Sequence, residues 1–209
     1  MKYFFTLYLL MFFFITKSQT LQRTLLQVNN TNNQNIPNPW SGGLNACQLS
    51  EIDLNLDGTK DLFVFDRTGN RILPFINSGI NNTIDYQYEP AYINAFPSLS
   101  DWVLLLDYNS DGKEDLFTYN GGKVKVYRNT SSGTQIEFTH LSNSLITDYS
   151  GSPFQLYVSR VDIPAITDVD NDGDIDILTF QSLGGYIEFH ENLSMDLYGH
   201  TDSLIFMMT

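Results

Sequence analysis

Three acidic segments of the sequence share one spacing of oxygen-bearing side chains. Each follows the pattern D-x-[DN]-x-D-G-x-x-D-[LI], and the three loops begin at Asp53, Asp107 and Asp168. A hard divalent cation such as Ca²⁺ takes about six to eight oxygen ligands at roughly 2.3–2.6 Å. Alternate residues of a tightly turned loop can direct their oxygens toward one centre. The spacing therefore predicts up to three calcium sites in one chain.

The positions within each loop fit distinct roles. Positions 1, 3 and 5 offer side-chain oxygens, and position 9 adds a last carboxylate. Position 6 is always glycine, where a sharp turn calls for a positive φ. Position 7 offers only its backbone carbonyl, so its identity should be free, and it is Thr59, Lys113 or Asp174.

The same residues also admit a plainer interpretation as turns. Asp, Asn and Gly are common in turns without any metal, but carboxylates crowded into so short a segment repel one another unless a counterion is present. An EF-hand would place a glutamate at position 12, which instead holds Val64, Thr118 and Thr179. The residues after each loop are β-branched and aromatic, which favours a strand. We therefore expect each loop to join two strands.

The repeat extends well beyond the loops. An apolar strand precedes each loop, a second strand follows it, and a third strand follows a Gly-containing turn. All three third strands end on asparagine, at Asn77, Asn129 and Asn192. The remaining length leaves room for a fourth strand, for example at 136–138 or 154–158. Four strands per about 60 residues is typical of a propeller blade.

These units resemble FG-GAP or VCBS repeats, the calcium-bearing blades of integrin-α-type β-propellers and of many secreted bacterial proteins. The resemblance covers about residues 39–195, and the loop pattern is its specific part. It implies an all-β fold, a partial β-propeller of about three four-stranded blades, with units near 39–96, 97–158 and 159–209. Family propellers close with about seven blades, so we expect a truncated propeller. Residues 203–209 read as the start of a further strand.

The resemblance also implies a set of calcium ligands. They are Asp53, Asn55, Asp57, Thr59 and Asp61 in the first loop, Asp107, Asn109, Asp111, Lys113 and Asp115 in the second, and Asp168, Asp170, Asp172, Asp174 and Asp176 in the third. Thr59, Lys113 and Asp174 would bind through their carbonyls. The third loop carries the most carboxylates and should bind Ca²⁺ most tightly.

The N-terminus has the pattern of a secretory signal peptide over 1–18. A lysine precedes a 13-residue apolar run ending at Ile15, and small residues allow cleavage after Ser18. A membrane anchor would need about 18 apolar residues. We therefore expect a secreted or cell-surface protein with no membrane span in the mature chain. An Asn- and Gln-rich stretch, 19–37, is predicted to be a flexible lead-in to the repeats of 38–209.

The charge and cysteine content narrow the partners further. The formal net charge is −13, which argues against a nucleic acid partner. Cys47 is the only cysteine, so no disulfide can form within the chain, and calcium takes over that stabilising role. We expect Cys47 to be a small core residue.

Familiar catalytic motifs are absent from the sequence. His140, His190 and His200 are scattered, and a packed or surface role for His190 is expected. Trp40 and Trp102 could stack on a sugar, although packing between blades is the expected use. The carboxylates outside the loops show no pairing that the sequence can establish; they include Glu51, Asp66, Asp101, Asp148 and Asp162.

The sequence therefore predicts a non-enzymatic, secreted, calcium-binding propeller module for adhesion, scaffolding or protein interaction. One alternative is a lectin-like propeller with a glycan ligand. Another is the non-catalytic front part of a larger secreted enzyme. Further propeller blades or a second copy of the chain are expected as partners of the open ends.

Overall fold

The computed structural model describes residues 26–80 and 82–209. The predicted signal peptide and the first part of the predicted lead-in lie outside these residues. The described residues divide between two compact units, one ending at Ile36 and the other running from Pro37 to Thr209. In the smaller unit, Asn29 and Asn35 form an antiparallel bridge. The predicted domain boundaries stay predictions.

The described residues of the larger unit form three sheets, none of which closes on itself. The first sheet has the strand order β1–β2–β3–β4 and is antiparallel throughout. Its strands are β1 (Cys47–Ile52), β2 (Asp61–Asp66), β3 (Arg71–Asn77) and β4 (Tyr86–Tyr88). A short 3₁₀ helix, Pro90–Ala95, follows β4.

The second sheet repeats this order as β5–β6–β7–β8. Its strands are β5 (Val103–Leu106), β6 (Asp115–Tyr119), β7 (Val124–Asn129) and β8 (Phe138–Ser142). The register shifts between Val126 and Tyr127, where β7 pairs with β8. The predicted fourth strand is β8, which begins at Phe138, the last residue of the predicted segment 136–138.

The third sheet has six strands in the order β10–β9–β14–β13–β12–β11. Its strands are β9 (Ile146–Asp148), β10 (Pro153–Gln155), β11 (Ala165–Thr167), β12 (Asp176–Phe180), β13 (Ile187–Asn192) and β14 (Phe206–Met208). A five-residue helix, Ser194–Tyr198, connects β13 to β14. The hairpin β9–β10 joins the sheet because β9 pairs in parallel with β14. The predicted strand at 154–158 is therefore divided. Phe154 and Gln155 lie in β10 of the third sheet, whereas Tyr157 forms an antiparallel bridge with Lys123, just before β7 of the second sheet.

The C-terminal strand confirms one expectation. Residues 203–209 contain the predicted further strand, β14, which pairs with β13 as the fourth strand of the third repeat. The side chain of Asn192 accepts the N–H of Ile205 at 3.1 Å, and the N–H of Leu193 donates to the carbonyl of Ile205 at 2.8 Å. Phe206 is buried in the core. These contacts fix the segment onto its own sheet.

The alternation of side chains gives each sheet two distinct apolar faces. The forward face of a sheet is defined as the face that carries Phe63 in the first sheet, Phe117 in the second and Leu178 in the third. The rear face is the opposite one. Phe63 packs in one cluster with Leu105 and Leu116 of the second sheet's rear face. Phe117 packs likewise with Ile177 of the third sheet's rear face.

Among residues 26–80 and 82–209, no comparable cluster packs on the forward face of the third sheet. Phe180 and Ile187 are cross-strand neighbours on it, and they are 47% and 60% exposed. Leu178 and Phe189 form the adjacent pair and are only half-buried. A surface that is core in the first two sheets is thus partly open in the third.

Two further expectations about single residues have different outcomes. Cys47 is exposed, so its prediction as a core residue is wrong. It begins β1, and the alternation of that strand buries Gln48 and Ile52 instead. Trp102 is buried as expected, whereas Trp40 is 48% exposed.

The core position of Phe117 gives a direct stability prediction. Replacing it with alanine should lower the free energy of unfolding by about 3–5 kcal/mol, because the lost ring leaves a cavity between two sheets. Phe154→Ala, at a position 67% exposed, is the matched control and should cost about 0.5 kcal/mol or less. Urea denaturation at a fixed calcium concentration measures both. Equal losses would contradict this assignment of the core.

Candidate metal centres

Each acidic loop connects the first strand of its repeat to the second, as the sequence predicted. The loops lie between β1 and β2, β5 and β6, and β11 and β12. The glycine at position 6 has a positive φ in every loop, for example +85° at Gly58 and +105° at Gly173. Glycine adopts this region without strain, which explains why position 6 does not vary.

The carboxylate at position 1 organises the turn of its own loop. Asp53 accepts the N–H of Asp57 at 3.1 Å and that of Gly58 at 2.8 Å. Asp107 accepts the equivalent N–H groups of the second loop at the same two distances. In the third loop Asp168 accepts the N–H groups of Asn171 and Gly173. The first donor there is the residue at position 4, whereas it is the residue at position 5 in the other two loops.

The carboxylate at position 9 ties each loop to its sheet. Asp61, Asp115 and Asp176 are buried at the start of the second strand. One oxygen of Asp61 accepts the N–H of Leu54 within the loop at 2.8 Å, and the other accepts the N–H of Asn77 at 2.7 Å. Asp115 and Asp176 make the same two kinds of contact.

The asparagine that ends each third strand connects that strand to the loop, because its backbone N–H donates to the position 9 carboxylate. The side chain of Asn77 donates to the carbonyl of Lys60 at 3.1 Å, and that of Asn129 donates to the carbonyl of Glu114 at 3.0 Å. Asn192 differs, because its amide contacts the segment that leads to β14. The constant asparagine was visible in the sequence, but its contact with position 9 was not.

Burial makes the ionised form of Asp61 and Asp115 costly. It raises the pKa of Asp115 to about 7, with backbone N–H groups opposing the shift and the loop's other aspartates adding to it. The pKa of Asp61 is raised for the same reason. In contrast, the exposed Asp57 has a lowered pKa, chiefly because the N–H of Thr59 donates to it. A nearby cation would favour the ionised form of the buried groups.

The third loop brings three carboxylates together. Oxygens of Asp168, Asp170 and Asp176 lie within 4.8 Å of one another. Two oxygens bound to one Ca²⁺ on opposite sides are about 4.6–5.2 Å apart, so this spacing fits one shared ion. The equivalent trios of the other loops contain Asn55 and Asn109 at position 3. Asp172 at position 5 is not part of the trio.

The side chain at position 7 makes contacts of its own in the third loop. One carboxylate oxygen of Asp174 accepts the N–H of Met195 at 2.8 Å, while the other is buried with no hydrogen-bond partner among the described residues. Burial raises the pKa of Asp174 to about 6. An unpaired buried carboxylate oxygen beside the acidic trio fits the presence of a cation. At the second loop's position 7, the Lys113 ammonium instead donates to the carbonyl of Ser131 at 2.8 Å.

Two of the carboxylates outside the loops form ion pairs. Asp66 is paired with Arg71, which lowers its pKa to about 2, and Asp101 is paired with Arg160. His190 is fully buried, as expected for a packed histidine. Its Nδ1 lies 3.1 Å from the hydroxyl of Thr147.

One comparison with known protein families gave a match. Residues 107–179 match the family model of the FG-GAP-like repeat. The match spans about a third of the chain, from the first aspartate of the second loop into β12, and supports a relationship with the FG-GAP family. The FG-GAP repeat family is non-catalytic, and its repeats often bind calcium. The match suggests a β-propeller-like interaction module. No curated protein and no solved structure gave a significant match.

The buried His190 predicts a specific response to acid. Burial lowers its pKa to about 4, although Glu188 lies 3.6 Å from its Nε2. An unfolded histidine has a pKa of about 6.5, so the unfolded chain binds the extra proton between those values. Stability should therefore fall as the pH drops from about 6.5 to about 4.

Thermal melts of two variants across this pH range test the assignment. His190→Gln should lose this part of the pH dependence, whereas His140→Gln, which removes an exposed histidine, should keep it. The same slope in both variants would show that His190 does not titrate as its burial requires.

Proposed function

We propose that this chain is a secreted, calcium-stabilised β-propeller segment that serves as an interaction module. The repeated clamp of position 1 and position 9 carboxylates in all three loops carries the proposal. Side-chain bonds to backbone N–H groups also occur in ordinary turns, but the carboxylates crowded into each of the three loops repel one another unless a counterion is present. The acidic trio of Asp168, Asp170 and Asp176 provides the best-defined cation site.

Calcium would have a structural role in this proposal. Most ligands of each site come from one continuous loop, which leaves few coordination positions for a substrate. The ion would offset the repulsion among loop carboxylates and join the first two strands of each repeat. We further propose that adhesion or scaffolding, rather than catalysis, uses the resulting surface. Within residues 26–80 and 82–209, no helix is long and apolar enough to span a membrane.

Position 3 is Asp170 in the third loop and asparagine in the other two, and this difference predicts different calcium affinities. Calorimetry should show one tighter site and up to two weaker ones, in the range of about 10⁻⁴–10⁻³ M that is typical of extracellular modules. Asp170→Asn gives the third loop the side chain found at position 3 in the other loops, and should remove the tight class. Asn109→Asp should create a second tight class.

Controls separate this effect from general electrostatics. Asp85→Asn removes an exposed carboxylate outside the loops and should leave both classes unchanged. A chelator should lower the melting temperature, since binding at tenfold excess stabilises by about 1.4 kcal/mol per site. No calcium uptake at millimolar concentration, or an unchanged melt with chelator, would refute the proposal.

The open forward face of the third sheet indicates the kind of partner. Twice within the chain, a forward face packs against the rear face of the next repeat. We propose that the rear face of another repeat unit covers the exposed Phe180 and Ile187. That unit would belong to a longer chain or to a second copy of this one.

This surface should make the isolated chain associate or bind a hydrophobic dye. The paired change Phe180→Lys and Ile187→Glu should reduce both behaviours, because it places charge on the open face. Leu183→Lys, in the exposed turn between β12 and β13, is the control and should reduce neither. Size-exclusion chromatography with light scattering gives the readout. A dye-negative wild-type monomer with a sharp melt would contradict the prediction.

A further inference from the structure

A cavity of about 320 Å³ lies beside the second loop, where segments of the second and third repeats meet. Its apolar wall consists of Leu141, Leu145, Ile146 and Leu204. The polar part is formed by Tyr108, Arg128, Ser142, Ser144 and Asp202. A small cavity with mostly apolar walls and a few convergent polar groups is the usual form of a ligand site.

The guanidinium of Arg128 is held in a fixed orientation at this cavity. Its Nε and Nη2 donate to the hydroxyl of the buried Tyr108 at 3.2 and 2.6 Å. Nη2 also donates to the carboxylate of the half-exposed Asp202. Nη1 has no hydrogen-bond partner in the described part of the chain. The guanidinium therefore keeps one nitrogen available while its position is set by the protein.

The repeat architecture does not require this arrangement. At the place of Arg128 in their third strands, the first and third repeats carry Ile76 and Glu191. Part of the apolar wall belongs to the connection from β8 to β9, and the β9–β10 hairpin is an addition to the four-stranded repeat. The corresponding cavity of the first repeat, about 280 Å³, is lined by Ile76 and by the carboxylates of Asp85 and Glu89.

We propose that the cavity beside Arg128 binds a small carboxylate that carries a short branched aliphatic group. The ligand carboxylate would displace Asp202 from Nη2 and engage Nη1 as well, because a guanidinium pairs with a carboxylate through two parallel hydrogen bonds. The aliphatic group would lie against the leucine and isoleucine wall and leave water. Asp202 is thus an internal competitor that occupies the anion position when no ligand is bound.

Charge complementarity favours a carboxylate over other anions. Asp202 already pairs with this guanidinium, so the geometry accepts a carboxylate. A doubly charged phosphate would be opposed by the net charge of −13 and by the aliphatic wall. The volume admits only a small molecule or the end of a side chain.

Ligand-observed saturation-transfer NMR on the full chain, at fixed calcium concentration, tests the proposal with 4-methylpentanoate as the probe. The probe should bind at millimolar concentration, and the neutral 4-methylpentanamide should bind about tenfold or more weakly. Arg128→Gln should weaken carboxylate binding by a similar factor. Arg160→Gln, which removes an arginine paired with Asp101 elsewhere, should leave it unchanged.

Asp202→Asn provides the decisive second variant. Removing the internal competitor should tighten carboxylate binding severalfold, an effect that a purely structural Arg128 would not produce. The side chain of Asp202 is 53% exposed, so the variant is expected to fold, and a thermal melt verifies this. Weaker binding in Asp202→Asn, equal binding of acid and amide, or no binding of either probe would overturn the proposal.

Discussion

The buried carboxylate at position 9 is the interaction on which each repeat depends. Asp61, Asp115 and Asp176 each use both oxygens, one toward the loop and one toward the end of the third strand. Three parts of the repeat are therefore joined at one side chain: the turn, the second strand and the third strand. A neutral amide could not reproduce this, because its nitrogen would face a backbone N–H. Keeping such a group ionised in a buried position is costly, and a bound cation would lower that cost.

This constraint connects the local loops to the larger architecture. Because the same clamp recurs, the three sheets have equivalent forward and rear faces, and they pack head to tail. Head-to-tail packing of equivalent units leaves one face at each end of the series without a neighbouring repeat. In the described residues the rear face of the first sheet is a separate buried cluster that includes Val64 and Leu73, whereas the forward face of the third sheet carries the exposed Phe180 and Ile187. The clamp in each loop and the open face of the third sheet are thus consequences of one repeated geometry.

The sequence was sufficient to predict the features that are local and repeated. The loops, their glycines and the strands on either side follow from short-range spacing, and β3, β7 and β13 end at the predicted asparagines. Long-range pairing was not predictable in this way. The parallel contact of β9 with β14 joins segments about 60 residues apart, and nothing in the local pattern of either strand specifies the other.

Single residues show the same limit within the candidate sites. Position 3 of the loops could be assigned from spacing, but the unpaired oxygen of Asp174 depends on Met195, which follows the third strand. Arg128 carried no motif, and only the fold places it beside Tyr108 and Asp202. Calcium binding by the third loop is tested most directly by anomalous diffraction from crystals grown with calcium. A calcium peak is expected at about 2.3–2.6 Å from oxygens of Asp168, Asp170 and Asp176. Fully ordered loops without any peak near these oxygens would contradict it.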